Sequence, residues 1–84
     1  MAVGIENFED LANAVVEQAA KDYLQCKKDL YMYGDMYSLR NRITDCVLFF
    51  RSDWFRFLTD LDGEIILSRL DRMYKQWEKE FKWV

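Results

Sequence analysis

Histidine and proline are both absent from this 84-residue chain, and each absence narrows what the protein can be. Without histidine there is no Ser-His-Asp or Cys-His catalytic arrangement and no histidine-ligated metal. Without proline, the strongest breaker of helices is missing. The three glycines form no GxGxxG or P-loop pattern for binding phosphate, and two cysteines alone cannot complete a structural zinc site. We therefore expect no cofactor, no metal and no enzymatic activity.

Long apolar runs are also missing. No run approaches the roughly 20 residues that a membrane-spanning helix needs, and residues 1–20 hold four acidic residues and no basic one, unlike a signal peptide. Cys26 and Cys46 fall on the apolar sides of predicted helices, where a free thiol behaves as a small hydrophobe. A single disulfide between the two cysteines is the alternative, but nothing indicates an oxidising compartment. We expect a cytoplasmic protein with no membrane partner.

Hydrophobic residues make up 51% of the chain and aromatic residues 17%, a rich supply for one domain spanning residues 1–84. Apolar residues recur at steps of three and four, the spacing of one helix face. Gly34 is expected to end a first helix, and Ser38, Ser52 and Asp62 are expected to cap the next three. The predicted fold is all-α, a compact bundle of three main helices at about residues 5–33, 38–51 and 63–82 with a short helix near residues 53–59.

The stretch FFRSDWFRFLTDLDGE, residues 49–64, crowds aromatic side chains against arginines and ends in acidic residues. We expect Phe50, Trp54, Leu58 and Leu61 to lie inside the bundle. The alternative to a separate short helix is a kinked continuation of the second helix. The DLDGE ending does not form a calcium-binding EF-hand loop, because the positions for its first and last ligands hold leucine and arginine.

Two surfaces are candidates for binding a partner protein, since tryptophan, tyrosine and arginine dominate interface hot spots. One is YMYGDMY, residues 31–37, whose three tyrosines and two methionines cannot all face inward from one turn. The other is the outward part of the aromatic stretch. The alternative for both is packing within the bundle, with arginine stems covering the rings. The candidate partner-binding residues are Tyr31, Tyr33 and Tyr37 in the first surface and Arg51, Asp53, Phe55 and Arg56 in the second.

Charge is unevenly distributed along a chain of net charge −3 and pI about 4.8. Residues 1–38 carry seven acidic and three basic residues, and residues 39–58 carry four arginines. The arginines suggest phosphate contacts, but the negative net charge disfavours nucleic acid as a partner. The alternative for all these charges is an ordinary solvated helix surface. The candidate acidic binding face of the first helix consists of Glu6, Glu9, Asp10 and Glu17.

Two blocks, ANAVVEQAAKDY at residues 12–23 and FFRSDWFRFLTDLDGEIILSRL at residues 49–70, resemble a family of short helical proteins encoded by prophages and conjugative elements of Firmicutes. The blocks cover about two fifths of the chain. The second carries the more specific motif, FFRSDWFxxLTDLDGE, and Ile65 stands where the family has a tyrosine. The resemblance supplies context and no catalytic residue. Small acidic proteins of such elements often bind a host machine, as anti-CRISPR proteins do.

The resemblance and the charge together lead us to expect a non-enzymatic protein-binding module in the cytoplasm of a bacterial host. Its most specific form is an anti-CRISPR-like inhibitor whose acidic first helix enters the basic nucleic-acid channel of a Cas9-type nuclease. The alternatives are a DNA-binding regulator of the mobile element and a small structural oligomer such as a homodimer.

Overall fold

The protein folds as the predicted all-α bundle. The computed structural model describes the backbone of residues 5–82 and the side chains of residues 10–81, and this part of the chain contains no strand. The bounds of the first and last helices are those predicted, and the short helix is separate rather than a kinked continuation of the second. The four helices are α1 (Ile5–Tyr33), α2 (Tyr37–Phe50), α3 (Asp53–Leu58) and α4 (Gly63–Lys82).

The start of α2 differs from the prediction. The sequence predicts Ser38 as the N-cap, but Met36 occupies that position in an extended conformation, with no hydrogen bond from its side chain. The carbonyl of Met36 already accepts the first helical hydrogen bond, from the Arg40 N–H at 3.1 Å. α2 therefore begins one residue earlier, at Tyr37. The predicted ends of α2 and α3 each lie one residue too far along the chain.

α1 is antiparallel to α2 and parallel to α4. Gly34 ends α1 with φ +91°, a left-handed conformation that glycine adopts without strain. The three-residue turn 34–36 then returns the chain alongside α1. Contacts between α1 and α4 advance in the same direction along both helices, which establishes their parallel course. These contacts are Tyr23 with Asp71, Lys27 with Tyr74 and Tyr31 with Trp77.

The core lies where α3 closes the bundle against α1 and the first half of α4. α1 is 29 residues long and extends along the bundle, whose dimensions are 48 × 26 × 25 Å. Among the described side chains the buried ones are all hydrophobic, so charged groups occur only at the surface or half-buried. The central cluster consists of Val16, Tyr23, Phe50, Phe55, Leu67 and Leu70.

The start of α4 is fixed by a cap and a close backbone approach. The carboxylate of Asp62 accepts hydrogen bonds from the N–H groups of Glu64, at 2.9 Å, and Ile65, at 3.4 Å, which confirms the predicted cap. Gly63 lies directly against α2: a Cβ atom there would lie 1.9 Å from the carbonyl oxygen of Phe50. Glycine at this position lets the two helix ends meet.

Candidate protein-binding surface

Ser52 turns the chain between α2 and α3. Its backbone is extended, and its hydroxyl accepts a hydrogen bond from the Phe55 N–H at 3.1 Å. The same hydroxyl donates to the Phe49 carbonyl at 2.6 Å. One side chain therefore caps the start of α3 and ties it to the last turn of α2, and the predicted N-cap is confirmed.

Phe55 anchors α3 in the core. Its side chain is 1% exposed and contacts the rings of Phe49 and Phe50 at centroid distances of 5.7 and 5.5 Å. Phe49 and Phe50 contact each other at 5.4 Å, and all three pairs have the edge-to-face geometry that aromatic rings prefer. This triangle of rings fixes which side of α3 faces inward.

The sequence-based assignment of inward and outward residues in this stretch is wrong at three positions. Of the four residues expected inside, Phe50 is buried and Leu58 half-buried, but Trp54 and Leu61 are exposed. The expectation that Phe55 faces a partner is also wrong. A new helix begins at the corner, so the helical spacing of α2 does not continue into α3. The buried position in α3 consequently falls on Phe55.

Trp54 and Phe57 form an exposed aromatic pair on α3. The side chains are 56% and 66% exposed, and their rings stack with centroids 5.6 Å apart and planes inclined by 12°. Residues three apart lie on one helix face, so burying Phe55 turns this pair outward. We call Trp54 and Phe57 the α3 aromatic face. The apolar spacing of the sequence does not predict this face, although the Ser52 cap is a local signal that the helical phase restarts there.

Charged residues surround the corner next to the α3 aromatic face. Arg51 donates two hydrogen bonds to the Glu64 carboxylate, at 2.7 and 3.3 Å, and these bonds raise the pKa of Arg51. Arg56 donates to Asp53 at 3.2 Å. Both arginines and Leu61 line a notch of about 360 Å³ between the end of α2 and the start of α4. Of the candidate residues of this surface, Arg51 and Arg56 therefore share one notch and Asp53 is bound to Arg56, whereas Phe55 is buried.

The three candidate tyrosines divide between packing and exposure. Tyr31 is half-buried and packs edge-on against Trp77 and Phe81, at centroid distances of 5.6 and 5.8 Å. It therefore holds the end of α4 against α1. Tyr33 and Tyr37 are exposed on either side of the turn, and so are the methionines that precede each of them, Met32 and Met36. This second surface, the turn surface, consists of Met32, Tyr33, Met36 and Tyr37.

The candidate acidic face of α1 is described only in part. Asp10 and Glu17 are exposed, and Glu17 pairs with Lys21 at 3.2 Å, which offsets its charge. Glu6 and Glu9 lie in α1, but their side chains are outside the described residues. The face therefore offers fewer unpaired charges than the sequence suggests.

The two cysteines line one shallow pocket between α1 and α2. Cys26 is buried, Cys46 is half-buried, and both are free thiols. Burial raises the pKa of the Cys46 thiol, so little of it is the nucleophilic thiolate at neutral pH. The pocket, of about 360 Å³, is also lined by Asp22, Arg42 and Asp45.

No protein family, curated protein or solved structure matches this chain. In the described part, no three Asp, Glu or Cys side chains are arranged to hold a metal ion. None of the four helices over residues 5–82 offers a stretch that is both long and apolar enough for a bilayer crossing.

Proposed function

We propose that the protein is a non-catalytic binding module that contacts a partner protein through the α3 aromatic face. The observation that carries this proposal is the stacked pair of Trp54 and Phe57, which stays exposed while Phe55 holds the same helix in the core. Tryptophan is among the residues that contribute most binding energy at interfaces. Covering the pair with a partner removes apolar surface from water, at roughly 25 cal/mol per Å².

The way α3 is held supports the same proposal. An isolated helix of six residues is unstable in water, but here the Ser52 cap and the buried Phe55 fix its position. The aromatic pair is therefore presented in one arrangement before binding, which lowers the entropy lost on association. The ion pairs of Arg51 and Arg56 supply a polar rim around an apolar centre, the usual anatomy of an interface.

A more specific form of the proposal is an anti-CRISPR-like inhibitor of a Cas9-type nuclease. It is supported by the acidic charge of α1, with Asp10 and Glu17 exposed, and by the resemblance to proteins of mobile elements. In this form the acidic face is drawn to the positively charged nucleic-acid channel, and the α3 aromatic face supplies affinity. Because Glu17 is already paired with Lys21, the aromatic face is the better supported of the two contacts.

DNA binding is less well supported, because the arginines that would contact phosphate are mostly paired with acids. Arg40 lies 3.0 Å from Asp35, and Arg51 and Arg56 are bound to Glu64 and Asp53. A phosphate would have to displace these carboxylates.

The binding-module proposal is tested by quantitative affinity capture with matched variants. Tagged wild-type protein, the double variant W54A/F57A and the control Y33A/Y37A are compared in the same bacterial lysate. We expect a protein that is retained by the wild type and by the control to be lost from W54A/F57A. Retention of every captured protein by W54A/F57A would refute the α3 aromatic face as the binding surface.

The nuclease form is tested with a purified Cas9-type nuclease and its guide RNA. Inhibition of DNA cleavage is measured for the wild type, for the charge reversals D10K/E17K, and for W54A/F57A. We expect the wild type to inhibit cleavage, and both variants to inhibit it less. A wild-type protein that leaves cleavage unchanged contradicts this form and leaves the capture experiment to decide the general proposal.

A further inference from the structure

One outward face of α4 is open, and no other helix of the described residues lines it. An open groove of about 680 Å³ follows this face, and all its described lining residues belong to α4 itself. Met73, near its centre, is 56% exposed. The buried residues Leu67 and Leu70 lie on a different side of α4. The groove is lined by Arg69, Arg72, Met73, Gln76, Trp77 and Glu80.

Two arginines of the groove have no partner among the described side chains. Arg69 and Arg72 form no hydrogen bond or ion pair with any side chain of residues 10–81. In contrast, Arg40, Arg51 and Arg56 each contact a carboxylate within 3.2 Å. No described carboxylate therefore forms an ion pair with either arginine. Glu64 lines an adjacent hollow with both of them, but it is paired with Arg51.

The spacing of the groove residues is that of a helix–helix seam. Arg69, Met73, Gln76 and Glu80 are separated by four, three and four residues, as are the facing positions of a coiled coil. The charges stand at opposite ends, with Arg69 at one end and Glu80 at the other. Met73 and Gln76 lie between them.

This order of residues is self-complementary in an antiparallel pair. A two-fold axis between positions 74 and 75 places Arg69 opposite Glu80 of a second copy, and Met73 opposite Gln76. The axis repeats both contacts, so each dimer gains two Arg–Glu pairs and two contacts of Met73 with Gln76. A parallel pairing would instead place Arg69 against Arg69, which is repulsive.

From this geometry we infer that the α4 groove is a homodimer interface, occupied by α4 of a second copy in the antiparallel orientation. The seam lies on a different face from Leu67 and Leu70, so α1 and α2 stay in place when the second copy binds. The two Trp77 side chains then lie along one edge of the helix pair and the two Arg72 side chains along the other. This interface is distinct from the α3 aromatic face.

Sedimentation velocity over a concentration series tests the dimer and its register. We expect the wild type to change from monomer to dimer as its concentration rises. R69E or E80R alone should raise the dissociation constant at least about tenfold, because each variant places two pairs of like charges opposite one another in the dimer. The double variant R69E/E80R restores the opposite charges and should restore the dimer. The control R42E changes an exposed arginine that also makes no ion pair or hydrogen bond with the described side chains, and it should leave the dimer unchanged.

Two outcomes would overturn the inference. A wild-type protein that stays monomeric at every concentration has no such interface. A dimer that the single reversals do not weaken, or that R69E/E80R does not restore, uses another surface or register. Circular dichroism of each variant establishes that the helices are intact. W54A/F57A should dimerise normally, so the dimer and the binding-module proposal fail independently.

Discussion

The hydroxyl of Tyr23 donates a hydrogen bond to Asp71 at 2.5 Å and so joins α1 to α4 across 48 positions of the chain. Lys27 reaches the same carboxylate oxygen at 3.4 Å. Tyr23 is buried in the core cluster, whereas the Asp71 side chain remains partly exposed. This polar contact helps to fix the register of the two parallel helices, together with the contacts of Lys27 and Lys28 with the rings of Tyr74 and Trp77.

Replacing Tyr23 by phenylalanine should destabilise the protein by about 1–2 kcal/mol, because a hydrogen bond to a carboxylate is lost while the ring is kept. The loss is measured by urea unfolding at neutral pH. The control is Tyr33→Phe, whose hydroxyl is exposed and forms no hydrogen bond with the described residues. Equal unfolding midpoints for Tyr23→Phe and the wild type would show that the bond contributes nothing to stability.

Stability should fall at alkaline pH, and Tyr23 should be a main cause. Burial first, and then the hydrogen bond to Asp71, raise the pKa of Tyr23 far above its ordinary value of 10.0. Above that pH the unfolded chain loses the Tyr23 proton while the folded chain keeps it, so the free energy of unfolding decreases as pH rises. The slope approaches about 1.4 kcal/mol per pH unit for this one group.

Urea unfolding at pH values from 8 to about 11.5 measures this alkaline loss. Tyr23→Phe should flatten the decline, and Tyr33→Phe should leave it unchanged. Burial also raises the pKa of Tyr74, so part of the decline should survive in Tyr23→Phe. An unchanged slope in Tyr23→Phe would refute the assignment to this tyrosine.

Adjacent aromatic residues of α3 should differ sharply in their effect on stability. Phe55→Ala removes a ring from the centre of the core and should cost about 3–5 kcal/mol. Trp54→Ala removes an exposed ring that stacks on Phe57 and should cost about 1 kcal/mol or less. Thermal unfolding of both variants checks the assignment. Comparable losses would show that Trp54 is buried in solution.

Gly63→Ala should be destabilising, although replacing glycine by alanine in a helix usually increases stability. The new Cβ would lie 1.9 Å from the Phe50 carbonyl oxygen. The backbone fixes the positions of both atoms, so no side-chain rotation can relieve the clash. We expect a loss of at least about 3 kcal/mol, at or above the usual range for overpacking. The control Gly34→Ala meets no atom within 4 Å and should cost only about 1–2 kcal/mol, through its positive φ. A Gly63→Ala variant as stable as the wild type would contradict the close approach.

The long helices could be predicted from the sequence because each combines a regular apolar stripe with clear end signals. Gly34 ends α1, and Asp62 caps α4, as the sequence indicates. The orientation of α3 could not be predicted in the same way. A helix of six residues makes fewer than two turns, so its periodicity does not define a buried face. Its orientation depends instead on the fit of Phe55 between Phe49 and Phe50.

The candidate surfaces were predictable only where local pattern decides them. Arg56 and Asp53 are three residues apart on one helix, so their pairing follows from helix geometry. Arg51 pairs with Glu64 because the chain turns back between α2 and α4, a relation between positions 13 apart that no periodicity contains. Predicting the α4 groove likewise requires knowledge of which side of α4 the other helices leave uncovered.

During folding, α4 is the helix that we expect to pack last. α1 and α2 are joined by a three-residue turn, so their pairing closes only a short loop. α4 also packs against α1, but α2 and α3 lie between these two helices in the sequence. The contact of Asp71 in α4 with Tyr23 in α1 therefore spans 48 positions. We therefore expect the hairpin of α1 and α2 to form early and α4 to dock late. We expect α4 to detach first when the folded protein opens locally, so that its amide hydrogens exchange with solvent before those of α1 and α2.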